Sequence, residues 1–179
     1  MAQQGALGQD GVVARGGRSS GASLRIRRAR PADAAAIARM ANALNRHEAL
    51  SPRAFTAAIV RRDAFGPRRA FRVLVAEASA RVVGYASFVV GYNTDVAARE
   101  LWMHDLFVLP AWRDRGVGRA LVTAVAREAV RRGLGCLEWG VRDTNRRALR
   151  FYRRLGAHVG HARIASLRGR ALTALAAHA

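Results

Sequence analysis

Three residues, Arg113, Gly116 and Gly118, form an R-x-x-G-x-G run in "RDRGVGRALVTAVAREAVRRG" (113–133), just where an amphipathic helix begins. Glycine weakens a helix start unless something must approach the backbone closely. Whatever approaches there meets N–H groups with no helical acceptor and the positive end of the helix dipole, which is the chemistry of an anion site. Three phosphate-loop patterns compete. A P-loop requires a lysine after its second glycine, and this chain contains none. A dinucleotide fingerprint requires G-x-G-x-x-G; here Leu121 takes the third glycine's place, although Glu138 lies downstream at a suitable distance for a ribose partner. The run "AWRDRG" also separates Pro110 from Val117, whereas that fingerprint follows its strand tightly. In the third pattern a pyrophosphate sits on the N–H groups of Asp114, Arg115, Gly116, Val117, Gly118 and Arg119. The alternative is a glycine-loosened helix start with no ligand.

The elements that would position this loop read as a mixed α/β sheet. "LRIRRA" (24–29) alternates as a first strand. "PADAAAIARMANALNRH" (31–47) opens on proline and places Ile37, Met40, Ala41 and Leu44 on one helix face. "SPRAFTAAIVRRDAFG" (51–66) reads as a second helix, with Ser51 as N-cap and Pro52 in the first turn. Strands 71–78 and 81–92 are joined by a short turn near Ser79, as a hairpin. "ELWMHDLFVLP" (100–110) is an apolar strand closed by Pro110. The glycine-led helix follows, then an alternating strand over 134–141 with Leu137, Trp139 and Val141 on one side. A short helix spans 144–156, a weaker strand pair 157–169, and the last ten residues read as helical. Residues 1 to 22 read as a disordered tail and 23–179 as one domain.

Composition excludes several classes. The mean hydropathy of −0.04 fits a soluble globular chain, and no stretch approaches the apolar length of a membrane span. The N-terminus lacks the apolar core of a secretory signal, and Ala2 excludes N-myristoylation. The single cysteine, Cys136, makes no internal disulfide or cysteine metal cluster, and a reducing, cytoplasmic setting is expected. The formal charge of +19 comes from 31 basic residues, all arginine and spread along the chain. Arginine without lysine, beside abundant alanine, is what a GC-rich coding bias produces. Aromatics are 7% of the chain, few for a base-stacking surface, so nucleic acid is not expected as a partner. His47, His158 and His161 show no metal-ligand spacing, and no metal is expected.

"HDLFVLPAWRDRGVGRAL" followed by "WGVRDTNRRALRFYRRLGA" resembles the acetyl-CoA motif and the following strand-helix motif of the GNAT acetyltransferase superfamily. The resemblance runs from residue 24 to about 168, and the element order agrees. "FRVLVAEA…RVVGYASF…LWMHDLFVLP…NRRALRFYRRLGA" resembles the spermidine/spermine (diamine) acetyltransferase branch and its bacterial relatives. The resemblance implies a mostly antiparallel sheet flanked by helices and splayed between its fourth and fifth strands. It implies an acetyl-CoA-dependent N-acetyltransferase whose small-molecule amine (a polyamine, a lysine analogue or an amino acid) attacks directly in a ternary complex. It also implies a homodimer. A protein or peptide acceptor, or a non-catalytic acyl-CoA sensor of the same fold, is the alternative.

The resemblance also distributes roles. Splaying leaves main-chain groups of the segment Leu106, Phe107, Val108 open to pantetheine amides, as an added strand would use them. An N–H in this segment is also placed to stabilise an oxyanion. Asn145 contacts the cofactor arm, although capping the helix at 146 explains it equally well. Tyr152, turned sideways while Phe151 turns inward, is the general acid, since a phenol can supply the proton a departing thiolate needs; packing beside Phe151 is the alternative. The base is where this chain departs from the diamine enzymes. His104 stands where they place a glutamate, and Asp105 follows it. An amine acceptor arrives protonated, and a histidine suits proton removal at neutral pH. Alternation along the strand gives His104 the pocket and Asp105 a structural role. Losing that glutamate removes a negative charge, for which Glu48, Asp95, Glu100 and Asp105 are the candidate substitutes in the acceptor pocket.

Overall fold

The computed structural model describes residues 23–47, 55–161 and 165–177. The chain forms two compact units divided after Gly140. In the first, five strands lie in sequential order: β1 (Arg25–Arg28), β2 (Arg72–Ala78), β3 (Arg81–Asn93), β4 (Ala98–Val108) and β5 (Cys136–Glu138). The first four pair antiparallel, and β4 pairs parallel to β5. A parallel pair needs a crossover, which α3 (Val117–Arg131) supplies.

The central strand β3 is buried continuously from Val83 to Phe88, as expected where helices cover both faces of a sheet. On one face Val73, Val75, Tyr85 and Phe107 cluster with Ile37 and Met40 of α1 (Ala34–His47). The alternate residues face α3: a Cβ at Gly84 would stand 3.3 Å from Leu121 Cδ1. A short helix, α2 (Ala57–Val60), runs into a wider π turn over Arg61–Phe65. The Asn42 side chain ties α1 to this region, donating to the Phe55 carbonyl (2.8 Å) and accepting from the Phe55 N–H (3.0 Å).

Several boundaries differ from the sequence expectation. The helix at 31 starts as a 3₁₀ turn, Pro31–Asp33, before α1 proper. Ser51 and Pro52 lie outside the described residues. The cap of α2 is Thr56, whose hydroxyl accepts from the Ile59 N–H at 3.2 Å. The hairpin turn is Ser79–Ala80, both at positive φ (48° and 59°), as the right-handed twist of the flanking strands favours. The strand expected over 134–141 is only three residues long, because β5 leaves β4 after Glu138. No strand forms among the described residues of 157–169.

The second unit contains α4 (Arg146–Arg154) and α5 (Arg170–Ala176). Asn145 caps α4, its side chain accepting from the Ala148 N–H at 3.0 Å. Gly156, at φ 86°, ends it. The Gly156 and Ala157 N–H groups then turn back to the carbonyls of Arg153 (3.0 Å) and Tyr152 (3.2 Å), the paired bonds of a Schellman stop.

Candidate active site

The last part of β4 has one open edge. β5 accompanies it only from Glu100 to Trp102, and among the described residues no main-chain partner stands on that edge beyond. The Leu109 N–H donates to the Val83 carbonyl at 2.9 Å on the β3 side. Alternation then turns the main-chain groups of Leu106 and Val108 to the open edge and those of Phe107 to β3. The Val108 carbonyl accepts from Arg113 Nε at 3.0 Å, so this one group is taken. The Arg113 guanidinium also stands 5.7 Å from the Phe107 ring centre. Arg113 therefore pins the loop to the strand end.

The loop itself is built around two left-handed residues, Asp114 (φ 59°) and Gly116 (φ 78°). Gly116 is the N-cap of α3, and no side chain caps the helix. The first rung is the Ala120 N–H to the Gly116 carbonyl, so the N–H groups of Val117 and Gly118 precede the helical ladder. The first turn has no acidic side chain. Arg113, Arg115 and Arg119 add positive charge to the helix end. Gly116 is explained by its conformation. Gly118 is not, because its φ is not positive. The Arg115 guanidinium stands over the Trp112 ring, 5.5 Å from its centre, a cation–π contact within the loop.

His104 is the extra residue of a β-bulge. Ser87 pairs with Asp105 and Phe88 with Met103, which leaves His104 without an opposite number. Its side chain is exposed, and a bulge re-aims a side chain out of the regular pleat. Asp105 turns onto the sheet face. Its Oδ2 accepts from the hydroxyls of Ser87 (2.9 Å) and Tyr85 (3.1 Å), both buried residues. Ser87 and Tyr85 were not foreseen, since finding them requires the β3–β4 register.

Glu100 is nine-tenths buried on the same face as Asp105, farther back along β4. The Cys136 thiol points to Glu100 Oε2 at 3.8 Å, and Asn93 Nδ2 donates to Glu138 Oε1 at 2.9 Å. Ligating atoms of Glu100, Cys136 and Glu138 lie within 4.8 Å of one another. Burial, and then the neighbouring Glu138 and Glu100 carboxylates, push the Cys136 thiol up. Asp95 is exposed in the β3–β4 turn, its N–H donating to Asn93 Oδ1 at 2.9 Å, and Glu48 lies outside the described residues.

In the second unit, Asn145 serves as the cap of α4 and its amide nitrogen keeps its donors. Tyr152 is buried while Phe151 is only half-buried, the reverse of the expected packing, with ring centres 5.1 Å apart. A shallow cavity of about 440 Å³ on this unit is lined by Arg146, Arg150, Arg153 and His161, but by neither Asn145 nor Tyr152.

The model of the acetyltransferase (GNAT) family matches residues 38–157. This chain belongs to that family. A thialysine N-ε-acetyltransferase of Mus musculus is 34% identical over 145 residues, 76% of this chain and 85% of the relative. An L-ornithine N5-acetyltransferase of Arabidopsis thaliana is 38% identical over 95 residues, 52% of this chain and 42% of the relative. Among solved structures, an integron cassette protein of V. cholerae superposes with a TM-score of 0.72 at 23% identity, covering 87% of this chain and 99% of that one. An aminoglycoside N-acetyltransferase in complex with CoA superposes at 0.67 with 18% identity, covering 86% and 99%. The protein is thus a GNAT acetyltransferase with the mixed, splayed sheet its sequence implies. Among the described residues no helix is long and apolar enough to cross a membrane.

Proposed function

We propose that the protein transfers an acetyl group from acetyl-CoA to a primary amine of a small molecule, by direct attack in a ternary complex. The observation that carries this is the continuity of an open strand edge with an uncapped, glycine-led helix start. One takes amides and the other takes a pyrophosphate, and Arg113 fixes their spacing. The residues present fit the cofactor: no side chain caps the helix start, and among the described residues the strand edge keeps the Leu106 main-chain groups and the Val108 N–H without a partner, the Val108 carbonyl being held by Arg113. Bound acetyl-CoA supplies the acetyl group as a thioester.

The chain's own residues do the rest. Leu106 and Val108 bind pantetheine amides, and the N–H groups over residues 114–119 bind phosphate oxygens. Asn145 has amide donors for the cofactor arm. His104, aimed outward by the bulge, accepts the proton of the arriving ammonium. Tyr152 Oη holds a proton for the sulfur. Asp105 holds the bulge through Tyr85 and Ser87, as a positioning residue. The names of the relatives support an acceptor that is an amino acid or lysine analogue. Cytoplasmic location and a homodimer belong to the same reading.

Gly118→Asp tests it. A carboxylate against the phosphate site should lower CoA affinity at least tenfold by calorimetry while the fold persists. Unchanged affinity contradicts the phosphate-loop assignment. His104→Gln retains size but loses basicity; the ascending limb of kcat/KM against pH should flatten, with partial recovery at high pH, where more acceptor is neutral. Tyr152→Phe should lower kcat by about 10²-fold with little change in acetyl-CoA affinity. A wild-type kcat assigns Tyr152 to packing.

A further inference from the structure

Three arginines of α4 meet at one concavity without a counter-charge. Arg146, Arg150 and Arg153 stand at i, i+4 and i+7, within about 60° of arc on one helix face. They line the cavity of about 440 Å³ on the second unit, with Leu149 beside them. Val159 and His161 reach the same cavity from the irregular chain that follows Gly156, and Asp143 is its one acid. Among the described residues no carboxylate pairs with any of the three guanidiniums. Arg147 and Arg154 of the same helix, which do not line the cavity, do have partners.

The placement, more than the chain's total charge, is what calls for a ligand. Arg146 and Arg150 at i,i+4, and Arg150 and Arg153 at i,i+3, are like-charge neighbours, which cost a helix stability. On α3 the same spacings are used the other way, with Glu128 held by Arg131 and Arg132. The arginine face is also separate from the residues assigned to acetyl transfer. Tyr152 lies about 130° round the helix from its centre, and neither Tyr152 nor Asn145 lines the cavity.

We propose that this cavity is a site for a phosphomonoester, a small organic molecule with one dianionic phosphate and an apolar body. Three guanidinium charges less one carboxylate leave two positive charges, about what a phosphomonoester balances near neutral pH. Guanidinium forks take phosphate oxygens in pairs. Leu149 and Val159 give the carbon body an apolar wall, and His161 adds a ring N–H. The volume is that of a small-molecule site. The guanidiniums are exposed, so binding weakens as salt screens them. Occupation offsets the repulsion along α4 and stabilises the helix that carries Tyr152. The inference does not depend on the acetyl-transfer reading.

CoA carries a phosphomonoester of its own, so the test is run with and without it. Phenyl phosphate and inorganic phosphate are titrated into the full chain by calorimetry at low salt, in the absence of CoA and at saturating CoA. The proteins are wild type, Arg153→Gln, the Arg150→Gln/Arg153→Gln double variant, and Arg127→Gln, which alters an exposed arginine of α3 outside the cavity. With CoA present, phenyl phosphate should bind wild type and Arg127→Gln alike. The double variant should bind it at least tenfold more weakly and Arg153→Gln a few-fold more weakly. Inorganic phosphate, lacking the apolar body, should bind wild type more weakly than phenyl phosphate. Equal affinity in wild type and the double variant overturns the proposal. So does an equal loss in Arg127→Gln, which would report net charge alone. Inorganic phosphate binding as tightly as phenyl phosphate leaves an adventitious anion only. Phenyl phosphate binding that saturating CoA abolishes assigns the cavity to the cofactor and removes the separate site.

Discussion

Two pairs of carboxylates lie at opposite edges of one sheet, and they have opposite surroundings. At the β1–β2 edge, Arg27 donates to both Asp33 oxygens (2.7 and 3.0 Å) and to Glu77 (2.8 Å from Nε). The Arg30 N–H adds a bond to Asp33 at 2.7 Å. At the β4–β5 edge, Glu100 receives a thiol and Glu138 an amide, and among the described residues no arginine pairs with either. A carboxylate pair with its cation built in fastens the first strand to the first helical turn.

The largest effect that separates the two edges is in stability. Arg27→Ala leaves Asp33 and Glu77 facing each other in a half-dry site, and breaking such a pair costs about 3 kcal/mol. The estimate sits at the low end for buried pairs because Glu77 keeps 28% of its side-chain surface in water. Urea unfolding should show that loss. A loss under about 1 kcal/mol would erase the contrast.

Acid gives a smaller, signed effect. Burial by itself would raise the Asp33 carboxyl, but the bonds from Arg27 and the Arg30 N–H outweigh it and hold the group below its ordinary value. A depressed carboxyl contributes stability that is complete above the ordinary aspartate range, near pH 4, and fades as pH falls through the folded value. Asp33→Asn should remove that part of the acid limb, measured as unfolding free energy between neutral and acid pH. An unchanged limb would mean that Asp33 is not held by Arg27.

Glu100→Gln should behave oppositely to Arg27→Ala. It removes an uncompensated buried charge, so stability should stay within about 1 kcal/mol of wild type or rise. A loss comparable to that of Arg27→Ala would make Glu100 a structural residue. The smallest expected effect is that of Gly91→Ala, whose Cβ crowds the Glu100 carboxylate by a few tenths of an ångström. The unfolding midpoint should fall by no more than a few degrees, because the atom crowded is the end of a side chain. A larger fall would mean that the Glu100 side chain is held too firmly to give way.

What the sequence made legible follows from the range of each interaction. The loop at Gly116 and Gly118 was readable because a helix start is a local event, and the strand before it is a continuous apolar run. Asn145 was readable as a cap for the same reason. The split of β4 from β5 came from family resemblance; the alternation of residues 134–141 by itself suggested a full-length strand, and the chain departs from β4 with that alternation intact. The role of Asp105 was partly legible, but its partners Ser87 and Tyr85 lie on another strand. Glu138 alternates to the side opposite Leu137, yet nothing local says that Glu100 and Asn93 will meet it there. The packing of Tyr152 and Phe151 was reversed because adjacent aromatics on a short helix carry no signal for which one is buried.

The central claim is acetyl transfer from acetyl-CoA to an amine. Its most direct test is CoA thiol release by the full chain, with mass analysis of the acceptor, over monoamines, diamines and amino acids that carry a second ammonium. The account predicts release that depends on added amine, an acetylated product heavier by one acetyl group, and turnover that favours acceptors with two ammonium groups. Spermidine or spermine should not lead all others by a wide margin, since His104 stands where the diamine enzymes carry a glutamate. Absence of amine-dependent release across the whole set, from protein that binds CoA, would contradict the account and leave a binding module in place of an enzyme.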